Sequence, residues 1–369
     1  MRYSTTKLKQ FSKNFSDELF SASQGIKNSL LFAVNPLPQT ALIQGNQSFQ
    51  VLMIGGSHLE SAIAQLIDDR VQISNFSQKD IPKLTSKDIF LEIVEAAIHP
   101  QTMILSVNFA FPIQPILSNN KLDGILLNGP KGHDFLGLIG EQVGLEIENY
   151  LLQKRGQKIQ VTLANDTVAL GLATKEFESF TWQNCAVGIV GTGTNFGIFQ
   201  SQNTFINLES GNFNKFEQTE SGKLVDLESS NPATQFFEKE VGGNYLVNHF
   251  NIDAKLQGIN LEIKSSKQLS DIAKDLSHPG QFIASDIFAR SSQLIAAQIY
   301  GIYQYKQLVN HLQPEQKFHI LMEGSLYWKG FEYSNRVNFY LHELGLAKQD
   351  YQIHYLENMG LIGIARLAL

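Results

Sequence analysis

Along residues 5–31 the apolar positions Leu8, Phe11, Phe15, Leu19 and Phe20 recur at helical spacing, which predicts an amphipathic helix ended before Pro36 and Pro38. The apolar run Phe49 to Ile54 predicts a strand that meets Gly55 and Gly56, where the backbone turns sharply or approaches another group closely. Further strands are predicted over 62–67, 103–109, 124–127 and 158–163, with a helix over 137–153. Apolar runs flank Gly191-Thr192-Gly193-Thr194-Asn195 and predict a second glycine-turned hairpin over 186–199. Beyond Asn231 the period turns helical: Phe237, Val241 and Tyr245 share a face, and a long helix is predicted over 284–308. A strand over 318–322 ends at Gly324-Ser325, and a strand from Tyr351 precedes a short helix starting near Gly360. There is no low-complexity linker and no tandem repeat, so a domain boundary has to be a hinge between folded parts. Two halves that each open on a glycine-turned hairpin imply a duplicated α/β architecture.

With 369 residues, 43% apolar and 17% charged, the chain can bury a large core and fill two domains. A net charge of −6 without any basic block excludes general affinity for nucleic acid or for anionic membrane surfaces, and leaves a small molecule as the expected partner. Cys185 is the single cysteine, so no internal disulfide forms and a reducing compartment, the cytoplasm, is expected. No apolar run reaches the roughly 18 residues that span a bilayer. A soluble, unprocessed protein is therefore expected.

The densest candidate chemistry is Asn165-Asp166-Thr167, delivered by a strand to the start of a helix. These are preferred capping residues. A carboxylate at a strand end can also accept the proton of an attacking hydroxyl, and an adjacent amide can hold a sugar by donor and acceptor together. The Gly191–Asn195 loop offers closely spaced N–H groups and two hydroxyls, which suits a phosphate chain, although a plain hairpin turn has the same glycines. It is not a Walker A loop, and it does not open a helix as a dinucleotide fingerprint does.

Taken in order, these pieces resemble the hexokinase family. Residues 29–38 resemble the segment leading to that family's first strand, and Gly55-Gly56-Ser57 stands where its first phosphate loop has Gly-Gly-Thr. Phe109-Ala-Phe-Pro112 and Pro130-Lys131-Gly132 resemble two sugar-site segments. Asn165-Asp166-Thr167 and Gly191–Asn195 match the catalytic and second phosphate motifs without a change. Ile206-Asn207-Leu-Glu-Ser-Gly211, Asn231-Pro232 with Phe237-Glu238-Lys239, and Glu323-Gly324-Ser325 follow in the family's order.

The resemblance implies an α/β, actin-like (ribonuclease H-like) duplicated two-domain fold with a cleft between a small and a large domain. Residues 1–46 would be a helical segment packed on the large domain, 47–164 the small domain, 165–355 the large domain, and 356–369 a segment returning to the small one. It implies phosphorylation of a glucose-type hexose at its 6-hydroxyl by ATP with Mg²⁺, Asp166 being the general base. Asn165, Lys131, Asn207 and Glu228 would hold the sugar. Gly55, Gly56 and Ser57, and Gly191, Thr192, Gly193, Thr194 and Asn195, would cradle phosphates. Gly324 and Ser325, with residues 360–365, would lie at the adenosine end. The chain also departs from the family. Met53 replaces an aspartate that serves the metal, Glu60 replaces an arginine, Ala110 a serine and Pro130 a threonine. Glu228 matches only with a one-residue shift, and no second sugar-binding glutamate is identified. These losses leave open the alternative of a catalytically impaired sugar or nucleotide sensor.

Overall fold

A computed structural model describes residues 2–129 and 132–369. The chain divides into two units: residues 1–32, 183–198 and 207–355 form the first, and 33–182, 199–206 and 356–369 the second. It opens in the first unit with α1 (Thr5–Ser23). The second unit follows with β1 (Ala33–Pro36), β2 (Phe49–Ile54), β3 (His58–Ile67), β4 (Arg70–Asp80), α2 (Lys87–Ala97), β5 (Ile104–Phe109), β6 (Ile113–Ser118), β7 (Lys121–Leu126), α3 (Val143–Arg155), β8 (Gln160–Ala164) and α4 (Asp166–Ala173). The chain then passes through β9 (Cys185–Val190), β10 (Thr194–Ser201) and β11 (Thr204–Asn207). Next come α5 (Glu220–Glu228), α6 (Phe236–Val241), α7 (Gly243–Leu256), α8 (Ser266–Lys274), α9 (Gln281–Leu308), β12 (Phe318–Glu323), α10 (Ser325–Lys329), α11 (Tyr333–Leu344) and β13 (Tyr351–His354), before α12 (Met359–Ala365) closes the second unit.

In the second unit, β4-β3-β2-β5-β8 form one sheet. Its β2, β3 and β4 pair antiparallel, while β2, β5 and β8 run parallel. Leu52, Ile54, Val107, Phe109 and Leu163 of these strands pack with Phe90 and Val94 of α2 and Ile147 and Leu151 of α3. The first turn of α3 is capped from a distance. Asp123 on β7, itself buried, accepts the N–H groups of Gly144 at 2.8 Å and Leu145 at 3.0 Å, orphan donors that Gln142 leaves unmet. Burial outweighs these bonds and pushes the Asp123 carboxyl up from its ordinary pKa.

In the first unit, β10 pairs antiparallel with β9, and β9, β12 and β13 run parallel. The helix α1 starts at Ser4, whose hydroxyl accepts the Lys7 N–H, and buries Leu8, Phe11, Phe15 and Leu19 as the spacing predicts. It stops at Ser23, well before the prolines, with Gly25 in the left-handed region. Its path crosses α9 at Gly301, where a Cβ would stand 2.7 Å from the Ser12 carbonyl oxygen, so only glycine admits the two helices this close.

Residues 165–182, expected in the large domain, sit in the second unit. The reason is packing. A Cβ on Gly363 of α12 would fall 1.8 Å from the Ala169 carbonyl oxygen, so α4 is held against α12, and both belong with the sheet they cover. Residues 33–46 likewise belong to the second unit, where Leu42 and Ile43 donate their N–H groups to the Ala368 carbonyl.

Candidate active-site elements in the two units

In the first unit, the turn between β9 and β10 is fixed by backbone bonds. Gly191 N–H donates to the Gly193 carbonyl at 3.0 Å, Gly243 N–H to the Gly191 carbonyl at 2.8 Å, and Asn244 N–H to the Thr192 carbonyl at 3.0 Å. The turn's carbonyls are thereby occupied, and the Thr192 and Gly193 N–H groups have no acceptor among the described residues. That leaves donors for an anion. Glycine is demanded by contact: a Cβ on Gly193 would stand 2.4 Å from Glu238 Oε2, and one on Gly243 2.7 Å from the Gly191 oxygen. Thr194 donates its N–H to Glu238 Oε2 at 3.1 Å, while its buried hydroxyl has no partner among the described residues.

Asn195, Asn207 and Glu209 form a chain of oriented groups. Asn195 Oδ1 accepts from Phe196 N at 2.8 Å and Ser210 N at 3.1 Å, which turns its Nδ2 to Asn207 Oδ1 at 2.7 Å. Asn207 Nδ2 then donates to Glu209 Oε1 at 2.8 Å. Glu209 is held at φ 50, a left-handed conformation that a glutamate adopts only when its surroundings impose it. Carboxylates and amides side by side suit a ligand made of hydroxyls, to which they offer acceptors and donors together. Glu228, by contrast, is exposed at the end of α5 and makes no hydrogen bond with this group. The sequence does not single out Glu209 and Glu238, which the structure bonds to the candidate residues Asn207 and Thr194. The available signal was their place in two quoted motifs, each within a few residues of a candidate.

A buried ionic network holds α6, and with it Glu238. Lys239 Nζ, fully buried, donates to Asp226 Oδ1 at 2.5 Å and to the Asn231 carbonyl at 2.7 Å. His249, also buried, has Nε2 at 2.9 Å from the Lys239 carbonyl and Nδ1 at 3.0 Å from the Ser221 hydroxyl, and burial lowers its pKa. Such a ring stays neutral and donates to the carbonyl.

A cavity of about 640 Å³ adjoins the turn, lined by Gly191, Thr192, Asn244 and Ser325 together with Ser270 and Lys329. Ser270 is 7% exposed and its hydroxyl has no partner among the described residues. Lys264, Lys267 and Lys274 also line the cavity and make it cationic. Gly324, at φ 111, brings β12 so near β9 that a Cβ would lie 2.2 Å from the Val190 oxygen. Residues 360–365 belong to the second unit, where all are buried except Ile362, which is half-buried.

In the second unit, β8 delivers Asn165 as the N-cap of α4. Thr167 N–H is shared between Asn165 Oδ1 at 3.0 Å and Asp166 Oδ1 at 2.7 Å, and the Thr167 hydroxyl lies 3.2 Å from the same Asp166 oxygen. Capping thus engages one carboxylate oxygen of Asp166 and leaves Oδ2 without a donor among the described residues. Capping and catalysis are compatible at this residue.

The Gly55–Ser57 turn closes through Gly55 N–H to the His58 carbonyl at 3.0 Å. It is braced by His133, whose Nδ1 accepts the Leu84 N–H at 2.8 Å, so that Nε2 carries the proton donated to the Gly56 carbonyl at 2.8 Å. Pro130 and Lys131 lie outside the described residues. Met53 is half-buried, with its sulfur 2.9 Å from where a Cβ on Gly360 would stand. Glu60 is its direct cross-strand partner, with its carboxyl pKa raised by burial. Among the described residues no group of three His, Cys, Asp or Glu side chains could hold a metal. That donor set fits Mg²⁺ carried by substrate phosphates and water with at most one or two carboxylates, and does not fit a protein-built cage.

The hexokinase family model matches residues 186–252 and 253–369. Spinach hexokinase-1 is 29% identical over 239 residues, covering 56% of this chain and 45% of the relative. Tobacco hexokinase-2, a chloroplastic protein, is 30% identical over 241 residues, covering 55% and 46%. The chain thus spans about half the length of these curated relatives. A hexokinase crystal structure superposes with TM-score 0.80 at 20% identity, over 100% of this chain and 97% of the other. Schistosoma mansoni hexokinase complexed with glucose gives 0.79 at 19% identity, over 99% and 95%. A glucokinase of the ROK family from Streptomyces griseus, in complex with glucose and AMPPNP, gives 0.56 at 13%, over 87% of this chain and 99% of that one. These likenesses show the actin-like, duplicated α/β fold expected from the sequence. Among the described residues no helix is long and apolar enough to cross a membrane.

Proposed function

We propose that this chain, which belongs to the hexokinase family, transfers the γ-phosphoryl group of ATP to the 6-hydroxyl of a hexose with Asp166 as general base. The observation that carries the reading is the Asp166 carboxylate, fixed at one oxygen by its helix N-terminus and open at the other. Oδ2 takes the proton of the sugar hydroxyl as that oxygen bonds to the γ-phosphorus. The bond from the γ-phosphorus to the bridging oxygen breaks, and ADP leaves. This chemistry asks chiefly for alignment and for donors at the phosphoryl oxygens.

Thr192 and Gly193 N–H groups receive the phosphates, and the lysine-lined cavity beside them receives the nucleoside. Gly324 and Ser325 border that cavity. Asn165 and Lys131 hold sugar hydroxyls, joined by Asn207, Glu209 and Glu238. Glu238 suits a hydroxyl better than a phosphate, because an anion beside an anion is repelled. Mg²⁺, held through the phosphates, supplies charge neutralisation when bound. We assign the protein to the cytoplasm on its single, buried cysteine.

A sugar or nucleotide sensor is the second reading, favoured by Met53 standing where the family has a carboxylate. The deciding assay couples ADP release from ATP and Mg²⁺ to a panel of hexoses, with Asp166→Ala beside the wild type. Sugar-dependent release that falls at least about 1,000-fold in the variant, with sugar affinity kept within about threefold by calorimetry, supports the kinase. Unchanged turnover in Asp166→Ala sinks the role given to Asp166, and binding without any release favours the sensor.

A further inference from the structure

A second cavity, of about 380 Å³, opens in the first unit among the start of α1, the start of α5 and α9. Arg290 forms part of its wall at only 7% exposure, yet among the described residues makes a single hydrogen bond, from Nη2 to Asp253 Oδ2 at 3.2 Å. A guanidinium carries five N–H donors in a planar fork, so Nε and Nη1 of Arg290 are left without an acceptor among the described residues. Gln218, in the same lining, has its Nε2 buried with no acceptor among the described residues. Both unmet groups are donors, and what such a site lacks is an acceptor.

The carboxylates of the lining do not supply it. Asp253 faces Arg290, Asp286 pairs with Arg2, Glu217 with Lys7 and Glu220 with Lys223. Arg2 and Lys7 are half-exposed, and surface pairs of this kind are weak enough to exchange partners. A buried arginine fork is matched geometrically by the two oxygens of a carboxylate or phosphate.

We propose that this cavity binds a small oxyanion, a phosphate monoester or a carboxylate, through the Arg290 fork and Gln218 Nε2, with Lys7 turning onto it. The volume lies in the range of small-molecule sites, roughly 300–1,000 Å³. The site shares no lining residue with the nucleotide cavity, although α9 borders both, through Phe288 on one and Arg290 on the other. Its inner wall includes Thr219, which donates to the buried Glu240 at 2.9 Å, two residues beyond Glu238. An occupant therefore rests on the same polar network that holds α6.

Calorimetry on the full chain with inorganic phosphate and with malonate tests this, alone and with AMP-PNP and glucose present. One site per chain is expected, weakened at least about tenfold by Arg290→Lys, which keeps the charge and loses the fork, and about threefold by Lys7→Ala, an exposed change that leaves folding intact. The affinity is expected to be the same with and without AMP-PNP. Response to phosphate alone identifies a phosphate monoester, and response to malonate alone a carboxylate. No binding of either anion, equal binding by wild type and both variants, or complete displacement by AMP-PNP would overturn the proposal.

Discussion

Gly55–Ser57 and Gly191–Asn195 are both glycine turns at the end of a strand, but they stand in different surroundings. Around Gly193 the space for a side chain is taken by the Glu238 carboxylate, and the turn's carbonyls are tied to the residues that open α7. At Gly55 a Cβ would meet nothing nearer than the His58 oxygen at 3.7 Å, an ordinary contact. The first unit's turn needs glycine because its neighbours demand it. The second unit's turn keeps glycine while the strand leading to it carries the thioether of Met53, and its support comes from an imidazole. Motif identity alone does not separate these cases; contact geometry does.

The sharpest way to break the comparison is to remove what stands behind the Gly191 turn. Lys239→Met leaves Asp226 buried without its cation, and is expected to cost about 3–5 kcal/mol in urea unfolding. A loss under about 1 kcal/mol would mean that α6 does not depend on the pair. Gly193→Ala should lower kcat/KM for ATP about 100-fold, or about 2.7 kcal/mol, while Gly55→Ala stays within about threefold of wild type. Equal effects at the two glycines would erase the distinction. His133→Phe keeps a ring of similar outline in the Phe111–Phe135 cluster but deprives Leu84 N–H and the Gly56 carbonyl of their partner. About 2 kcal/mol of stability should be lost. Met53→Asp should give the smallest change, a severalfold rise in turnover at limiting Mg²⁺, and no rise would show that another carboxylate already serves the metal.

The same contrast explains what the sequence reveals. Buried strands such as β2, β5 and β8 are mostly apolar, with an occasional polar residue, and are readable to within a residue or two. The strand β4 escapes notice because it is an exposed edge, polar almost throughout, with Asn75 at φ 52 interrupting its register with β3. The helical stretch after Asn231 reads as one piece, but it is two, because the chain turns at Gly242 to meet the phosphate-type turn. Asn165, Asp166 and the Gly191 turn are local features and so are legible. Glu238 stands 44 residues from the Thr194 N–H it accepts, a relation that no spacing rule encodes. Glu228 draws attention only by its nearness in sequence to Asn231, and the fold leaves it on the surface.

His133 carries a mechanical consequence. With Nδ1 committed to Leu84 and Nε2 to Gly56, the ring acts as a strut between two segments 77 residues apart in sequence. The Leu84 amide and the Gly56 carbonyl are thereby held at opposite ends of one rigid ring, so a shift of either is opposed by the other.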